Sequence, residues 1–291
     1  MTSKIAEKNY YATRKKLVDA RLMDILSASG YEDNGVFTDA LRYTILSTGK
    51  RIRPIFMLAI YELFDDDIEN ALDLACAIEL LHAGSLMLDD LPSMDNAKLR
   101  RGEKTSHTKF GESTTILASA ALWIKCFELI ANSNSERTPE LLAETTKFVG
   151  PNGLIIGQYY DLEAKNNSFT LSELTRHYEF KTAALFRLAA KFGAVIANAN
   201  STQEKLLDEY ARCLGIAFQI KDDLVDATQT AEYSGKDSHL DDINNKQNFV
   251  NTIGLEQSQK ALQEYVQKAT NALKDSKLNS DHLVALTNEL I

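Results

Sequence analysis

The chain has 291 residues, of which 44% are hydrophobic and 25% charged, and a formal charge of −9. This is the balance of a soluble globular protein with a sizeable core. The negative excess argues against nucleic acid or an anionic membrane as the main partner.

With only 4 Pro and 13 Gly, helix breakers are scarce and long helices are expected. The N-terminus, MTSKIAEKNYYATRKK, has no apolar signal core. Leu41, Ile45 and Leu46 follow helical spacing. "GKRIRP", Gly49 to Pro54, then crowds Lys50, Arg51 and Arg53 ahead of an apolar run. It lacks the spaced glycines of a P-loop but can hold a phosphate. "DDDIE", Asp65 to Glu69, reads as a solvated loop and helix start. Leu72, Ala75, Cys76 and Ile78 belong to a long central helix from about Ile68 to Asp90. The longest apolar stretch, Ile116 to Ile130, is interrupted by Lys125 and Glu128 and reads as too short and too charged to span a bilayer. Thr138-Pro139 reads as an N-cap with proline at the first helical position. Thr170-Leu-Ser-Glu173 and Ser201-Thr-Gln-Glu204 read as capping boxes. The polar loops, Asn132 to Arg137, Ala164 to Ser168 and Thr228 to Asn245, are short and unlike domain linkers. No convincing alternating strand stands out, so the reading is one all-α domain over 1–291. Cys76, Cys126 and Cys213 are far apart and set among apolar residues, as buried thiols in a reducing cytoplasm would be.

Two acidic motifs carry the chemistry. In "FQIKDDLVD", Asp222 and Asp226 lie four apart and share a helix face. Gln219 and Asp223 complete a polar stripe beside Leu214, Ile216, Ala217 and Phe218, as expected of a helix lining an internal cavity. Carboxylates this close repel unless a cation neutralises them, and oxygen ligands suit a hard ion, Mg²⁺. In "LMLDDLPSMDNAKLRRG", Asp89 and Asp95 are six apart and would not align on an ideal helix. Pro92 disfavours helix at Leu91. The helix should therefore end near Asp90 and the chain curl to bring Asp95 back. Arg100 and Arg101 would then meet phosphate charge. A solvated acidic surface is the plain alternative, and Asp241-Asp242 reads that way. Two such motifs on apolar helices, each with cations nearby, favour a shared anionic ligand. His82 lies two turns before Asp89 on the same face. His107, His177, His239 and His282 make no zinc spacing. No nucleophile motif is present.

These residues resemble the trans-isoprenyl diphosphate synthases, the polyprenyl synthetase family, over nearly the whole length. "TGKRIRP", "DDLPSMD…LRRG", "HTKFGE", "GQYYDLE", "FKTAALF", "AFQIKDDLVD" and "SGKDS" follow in the family order. The resemblance implies a helical bundle around a deep central cavity, usually homodimeric. It implies 1′-4 condensation of isopentenyl diphosphate with an allylic diphosphate (dimethylallyl, geranyl or farnesyl). Asp89, Asp90, Asp95, Asp222, Asp223 and Asp226 would hold Mg²⁺ and the allylic diphosphate. Arg100, Lys181 and Lys236 would contact that diphosphate, with Thr182 and Gln219 beside the reacting carbons. Lys50, Arg53, His82 and Arg101 would hold isopentenyl diphosphate. No integral membrane segment and no nucleic acid are expected.

Leu88, Ala97, Lys98, Ser119 and Ala120 depart from the commonest pattern. They resemble the geranylgeranyl diphosphate synthases of bacterial carotenoid pathways. Asn245-Lys246-Gln247 replaces a late Gly-Lys-Ser/Thr. Gly84 and Ser85 lie roughly 6–8 Å below Asp89 on a helix, and Leu81 about 12 Å below. A small residue at Gly84, where farnesyl-making relatives often carry an aromatic, would leave the tail channel open, and Leu81 would be a deeper floor. Close helix packing is the other role for Gly84. The expected product is C20 geranylgeranyl diphosphate, with farnesyl diphosphate as the alternative. A silent subunit of a heteromeric prenyl synthase would usually lose aspartates. A terpene cyclase would not need the Lys50, Arg53 and His82 pocket.

Overall fold

The computed structural model describes residues 2–27, 35–47, 49–133, 135–164, 168–228 and 247–291. Lys236, His239, Asp241, Asp242, Asn245 and Lys246 lie outside them. The described residues form two compact units, Met1–Leu142 and Ala143–Ile291.

The first unit is built on α4 (Glu69–Asp89), within a residue of the expected central helix at each end. It is buried over most of its length, from Ala71 to Met87. Around it lie α1 (Thr2–Ser27), α2 (Val36–Leu46), α3 (Ile52–Tyr61), α5 (Ser106–Phe110) and α6 (Glu112–Ala131). Helix α1 is polar on average but turns Val18, Leu22, Ile25 and Leu26 inward. That spacing makes one helical stripe, and each buried aliphatic side chain contributes about 2 kcal/mol to docking. By length and apolar composition, α4 and α6 could each cross a membrane. This corrects the reading of Ile116 to Ile130 as too short and charged. The apolar window of α4 is 72% buried inside the protein, which is how core helices of soluble proteins pass the same test.

Helix α7 (Thr138–Val149) contains the boundary between the units. Thr138 is its first residue rather than its cap, and its hydroxyl donates back to the Ser135 carbonyl at 2.7 Å.

The second unit comprises α8 (Leu154–Glu163), α9 (Leu171–Tyr178), a π-helical turn (Glu179–Ala183), α10 (Ala184–Ile196), α11 (Ser201–Thr228), α12 (Phe249–Ile253), α13 (Leu255–Asp275) and α14 (Asp281–Leu290). Helix α11 is its spine. Ile216, Ile220 and Leu224 pack with Leu174, Tyr178, Ala183 and Phe249. The Thr170 capping box forms as expected, with Glu173 N donating to Thr170 Oγ1 at 3.3 Å and Thr170 N to Glu173 Oε2 at 2.8 Å. The second box is shifted by one residue. Asn200 Oδ1 accepts from Gln203 N at 3.0 Å, and Gln203 Oε1 from Asn200 N at 3.0 Å. Glu204 is drawn instead to Lys191, 2.6 Å away.

One sheet was not expected. β1 (Leu99–Arg100) and β2 (Glu103–Lys104) pair antiparallel, Arg100 opposite Glu103. The turn residues Arg101 and Gly102 have φ of 56° and 81°, the signs of the tight hairpin turn whose twist matches its strands.

Candidate active site

In the first unit, the chain after α4 does what Pro92 predicts. The helix ends at Asp89, and Asp95 N donates to the Asp89 carbonyl at 2.9 Å. Asp89 and Asp95 are thereby brought together and both keep partial exposure. Asp90 is different. It is 4% exposed, and Arg100 grips it with Nε 2.8 and 2.9 Å from its two oxygens and Nη2 2.6 Å from Oδ1. Burial raises the Asp90 pKa, against the lowering by Arg100. The hairpin exists to hold this clamp: β1 carries Arg100, and the turn swings Arg101 away from it.

Arg101 reaches back to the basic loop. Its Nη1 lies 2.8 Å from where a Cβ would sit on Gly49, and Arg51 Nη1 lies 2.5 Å from the same point. The absence of a side chain at Gly49 lets both guanidinium groups approach the backbone closely. The two guanidinium groups share that corner, and burial lowers the Arg101 pKa, with the Arg51 and Arg100 charges adding to the effect. Arg51 itself is consumed by structure. It bonds Asp19 at 2.7 Å, Glu79 at 2.9 Å and the Ile45 carbonyl at 2.5 Å. Lys50 is left exposed. Arg53 Nη1 is 3.2 Å from His82 Nε2. An arginine can only donate, so His82 Nε2 is the acceptor and the ring is neutral.

His82 is half-buried. Burial first, then Arg53, Arg101, Arg100 and Arg51, push its pKa well below 6.5. The unfolded chain therefore takes up a proton near pH 6.5 that the folded protein refuses. His82 contributes stability that is complete above about pH 6.5 and declines as pH falls below it. Denaturant unfolding between pH 5 and 8 should show a shallower acid decline in His82→Gln, whose amide oxygen still accepts from Arg53. An identical pH slope in the two proteins would place the charge sensitivity elsewhere.

Gly84 does not border open space on its α6 side. A Cβ there would lie 2.5 Å from Trp123 Cδ1 and Nε1 and 3.2 Å from the Ser119 carbonyl. Trp123 Nε1 donates to the Leu81 carbonyl at 3.1 Å, and Ser119 Oγ to the Gly84 carbonyl at 2.8 Å. This corrects the open-channel reading of Gly84: the glycine lets α6 approach α4. Leu81 is fully buried, and Ser85 Oγ donates to the His82 carbonyl at 2.8 Å.

In the second unit, Gly157 of α8 packs on the π turn, 2.5 Å separating its notional Cβ from Lys181 N. A π turn is a costly irregularity that recurs at functional sites. Here it carries Lys181 and Thr182. Lys181 Nζ pairs with Asp161 Oδ2 at 2.5 Å, and His177 Nε2 lies 3.5 Å from Asp161 Oδ1. Thr182 Oγ1 donates to Gln219 Oε1 at 2.6 Å, and Gln219 Nε2 to Asp223 Oδ1 at 3.3 Å. Asp223 Oδ2 also accepts from Tyr178 Oη at 2.5 Å and Phe249 N at 3.0 Å. Asp223 is thus 2% exposed, while Asp222 and Asp226 keep partial exposure.

The two acidic motifs share a design. In each, the outer aspartates keep partial exposure and the second member of the pair is buried and hydrogen-bonded. Asp90 is held by Arg100, and Asp223 by Gln219, Tyr178 and the Phe249 N–H. Sequence reasoning passed over Asp161 and Tyr178. "GQYYDLE" held the signal for Asp161, but its partner Lys181 is twenty positions away. Among the described residues no three His, Cys, Asp or Glu side chains converge into a metal cage. A pair of partly exposed carboxylates fits Mg²⁺, which completes its shell with water and phosphate oxygens.

The chain is similar to known proteins. The polyprenyl synthetase family model matches residues 34–282. A chloroplastic geranylgeranyl pyrophosphate synthase of Capsicum annuum is 36% identical over 269 residues, covering 91% of this chain and 72% of the relative. A farnesyl diphosphate synthase of Geobacillus stearothermophilus is 38% identical over 242 residues, covering 81% and 82%. Among solved structures, a geranyltransferase of Helicobacter pylori complexed with magnesium and isoprenyl diphosphate superposes with a TM-score of 0.85. It is 32% identical, with 98% of this chain and 96% of that one covered. A geranyltransferase of Legionella pneumophila reaches a TM-score of 0.87 at 26% identity, with 99% and 97% covered. The fold is the isoprenoid-synthase helical fold, and the chain is a short-chain trans-prenyltransferase belonging to the polyprenyl synthetase family.

Proposed function

We propose that this enzyme condenses isopentenyl diphosphate with allylic diphosphates up to C20 geranylgeranyl diphosphate, and that 1–291 works as one catalytic domain. The observation that carries the chemistry is the shared design of the acidic motifs. Asp89, Asp95, Asp222 and Asp226 are the carboxylates offered to Mg²⁺, while Asp90 and Asp223 fix their neighbours. When bound, Mg²⁺ neutralises the diphosphate as the allylic C–O bond ionises. Arg100, held by Asp90, and Lys181, held by Asp161, add positive charge already oriented for that diphosphate. Lys236 is assigned to the same group by resemblance. Lys50, Arg53 and Arg101 bind isopentenyl diphosphate, and neutral His82 orients Arg53. Thr182 and Gln219, locked to each other, present fixed dipoles to the reacting carbons. No side-chain base is assigned, because the released diphosphate can take the final proton.

The C20 product is supported by the departures at Leu88, Ala97, Lys98, Ser119 and Ala120. Relatives named for C15 and for C20 products stand at similar identity. The test is incubation of labelled isopentenyl diphosphate with each allylic starter and Mg²⁺, with chromatography of the products. Mostly C20 product is expected. Mostly farnesyl diphosphate with isopentenyl diphosphate in excess would overturn the chain length, and no elongation would overturn the reaction.

A second copy of this chain is assigned to the exposed face of α6. Leu117 and Ile124, seven apart on one stripe, are 62% and 68% exposed, with Ile116 beside them. A monomer by light scattering at micromolar concentration would rule this out. Buried Cys76, Cys126 and Cys213 carry no disulfide, which supports a cytoplasmic location.

A further inference from the structure

Helix α1 takes no part in the chemistry above, yet its side chains converge on the loop that does. Tyr11 Oη donates to the Lys50 carbonyl. Asp19 Oδ1 accepts from Arg51 Nε at 2.7 Å. At the other end of α3, Tyr10 and Arg14 both donate to Glu62. The loop needs such support. Arg51 caps α3 with φ 52° and ψ 34°, the left-handed region, which a residue with a Cβ adopts only at a cost. That backbone turn sends the Arg51 side chain inward to Asp19 and Glu79 while Lys50, one residue earlier, faces solvent. The same segment then delivers Arg53 to His82.

We propose that α1 is a strut for the diphosphate loop. Tyr11 and Asp19 are positioning residues: one fixes the Lys50 carbonyl, the other the Arg51 guanidinium, and together they set the directions of Lys50 and Arg53. The proposal rests on the assignment of isopentenyl diphosphate to Lys50 and Arg53. It predicts an effect confined to one of the two substrates. A loosened loop weakens isopentenyl diphosphate binding. The allylic diphosphate, assigned to other residues, is held as before.

The experiment compares wild type with Tyr11→Phe, Asp19→Asn, Asp19→Glu and Lys50→Ala. It measures KM for each substrate, kcat and Tm. Tyr11→Phe should raise KM for isopentenyl diphosphate about threefold, and Asp19→Asn about tenfold, the scale of one lost neutral or charge-assisted hydrogen bond. KM for the allylic substrate should change by less than about twofold. Asp19→Glu, which keeps the charge, should recover part of the loss. If both KM values rise together as Tm falls, α1 is only a structural element and the strut is overturned. If Lys50→Ala raises the isopentenyl KM but neither Tyr11→Phe nor Asp19→Asn does, the strut is overturned while the substrate assignment stands. If Lys50→Ala leaves that KM unchanged, the assignment itself fails, and the strut with it.

Discussion

Asp89→Asn is expected to cut turnover by about a thousandfold or more with Mg²⁺ present, and Asp222→Asn to do the same. A thousandfold corresponds to about 4 kcal/mol of transition-state stabilisation. That is the scale on which a metal ion or one fixed electrostatic contact acts on developing negative charge. Folding should survive, because both side chains are partly exposed and removing one of several neighbouring negative charges relieves repulsion. Asp90→Asn is the informative contrast. Asp90 is 4% exposed and bound at both oxygens by Arg100. Its loss should lower Tm as well as activity, since it leaves Arg100 without its anchor. Tm by calorimetry and turnover at saturating Mg²⁺ separate the two classes. Near-normal turnover in folded Asp89→Asn and Asp222→Asn would remove these residues from the metal site. A Tm loss in Asp89→Asn as large as in Asp90→Asn would remove the distinction between outer and inner aspartates.

The sequence made this distinction hard to see because periodicity reports which face of a helix a residue occupies, not what meets it. Asp222 and Asp226 could be placed on one face, and the structure leaves both partly exposed. Asp223 sits one position on and is drawn inward by Tyr178 and by Phe249 N, 45 and 26 residues away. Nothing local announces either partner. The curl at Asp95 was legible, because proline acts on its immediate neighbour. The hairpin was not: two residues per strand are too few to show alternation, and Arg-Gly is an uncommon pair for a turn with both φ positive. The shifted cap at Asn200 has a similar origin. Asn200 and Ser201 are both good caps, and the pull of Lys191 on Glu204 favours the box built by Asn200 and Gln203. In "GKRIRP" all three cations looked equivalent. Partners 32 residues back and 28 residues on, Asp19 and Glu79, separate Arg51 from Lys50 and Arg53.

Gly84→Tyr is expected to destabilise the protein by about 3 kcal/mol or more, before any effect on product length can be read. Even one added carbon meets Trp123 at 2.5 Å, closer than non-bonded atoms tolerate, and overpacking a filled core site typically costs 1–3 kcal/mol per substitution, occasionally more. The indole cannot simply swing away. Its Nε1 donates to the Leu81 carbonyl at 3.1 Å, one turn earlier on the helix that would be pushing it. Backbone retreat is also blocked, because Ser119 bonds the Gly84 carbonyl at 2.8 Å. Gly84→Ala should therefore lower Tm as well, though by less, since one methyl asks for a smaller displacement. The decisive measurement is a double-mutant cycle by denaturant unfolding of Gly84→Tyr, Trp123→Ala and the pair. If the tyrosine collides with Trp123, the pair should be more stable than the sum of the single effects by at least about 1 kcal/mol. The same pair, once folded, can be asked whether a ring at position 84 shortens the product. Additive losses would show that Trp123 is not the obstacle. A Gly84→Tyr protein with wild-type Tm that turns over to C15 would show that the space beside Gly84 belongs to the growing chain, and that the close approach of α6 is not what the glycine is for.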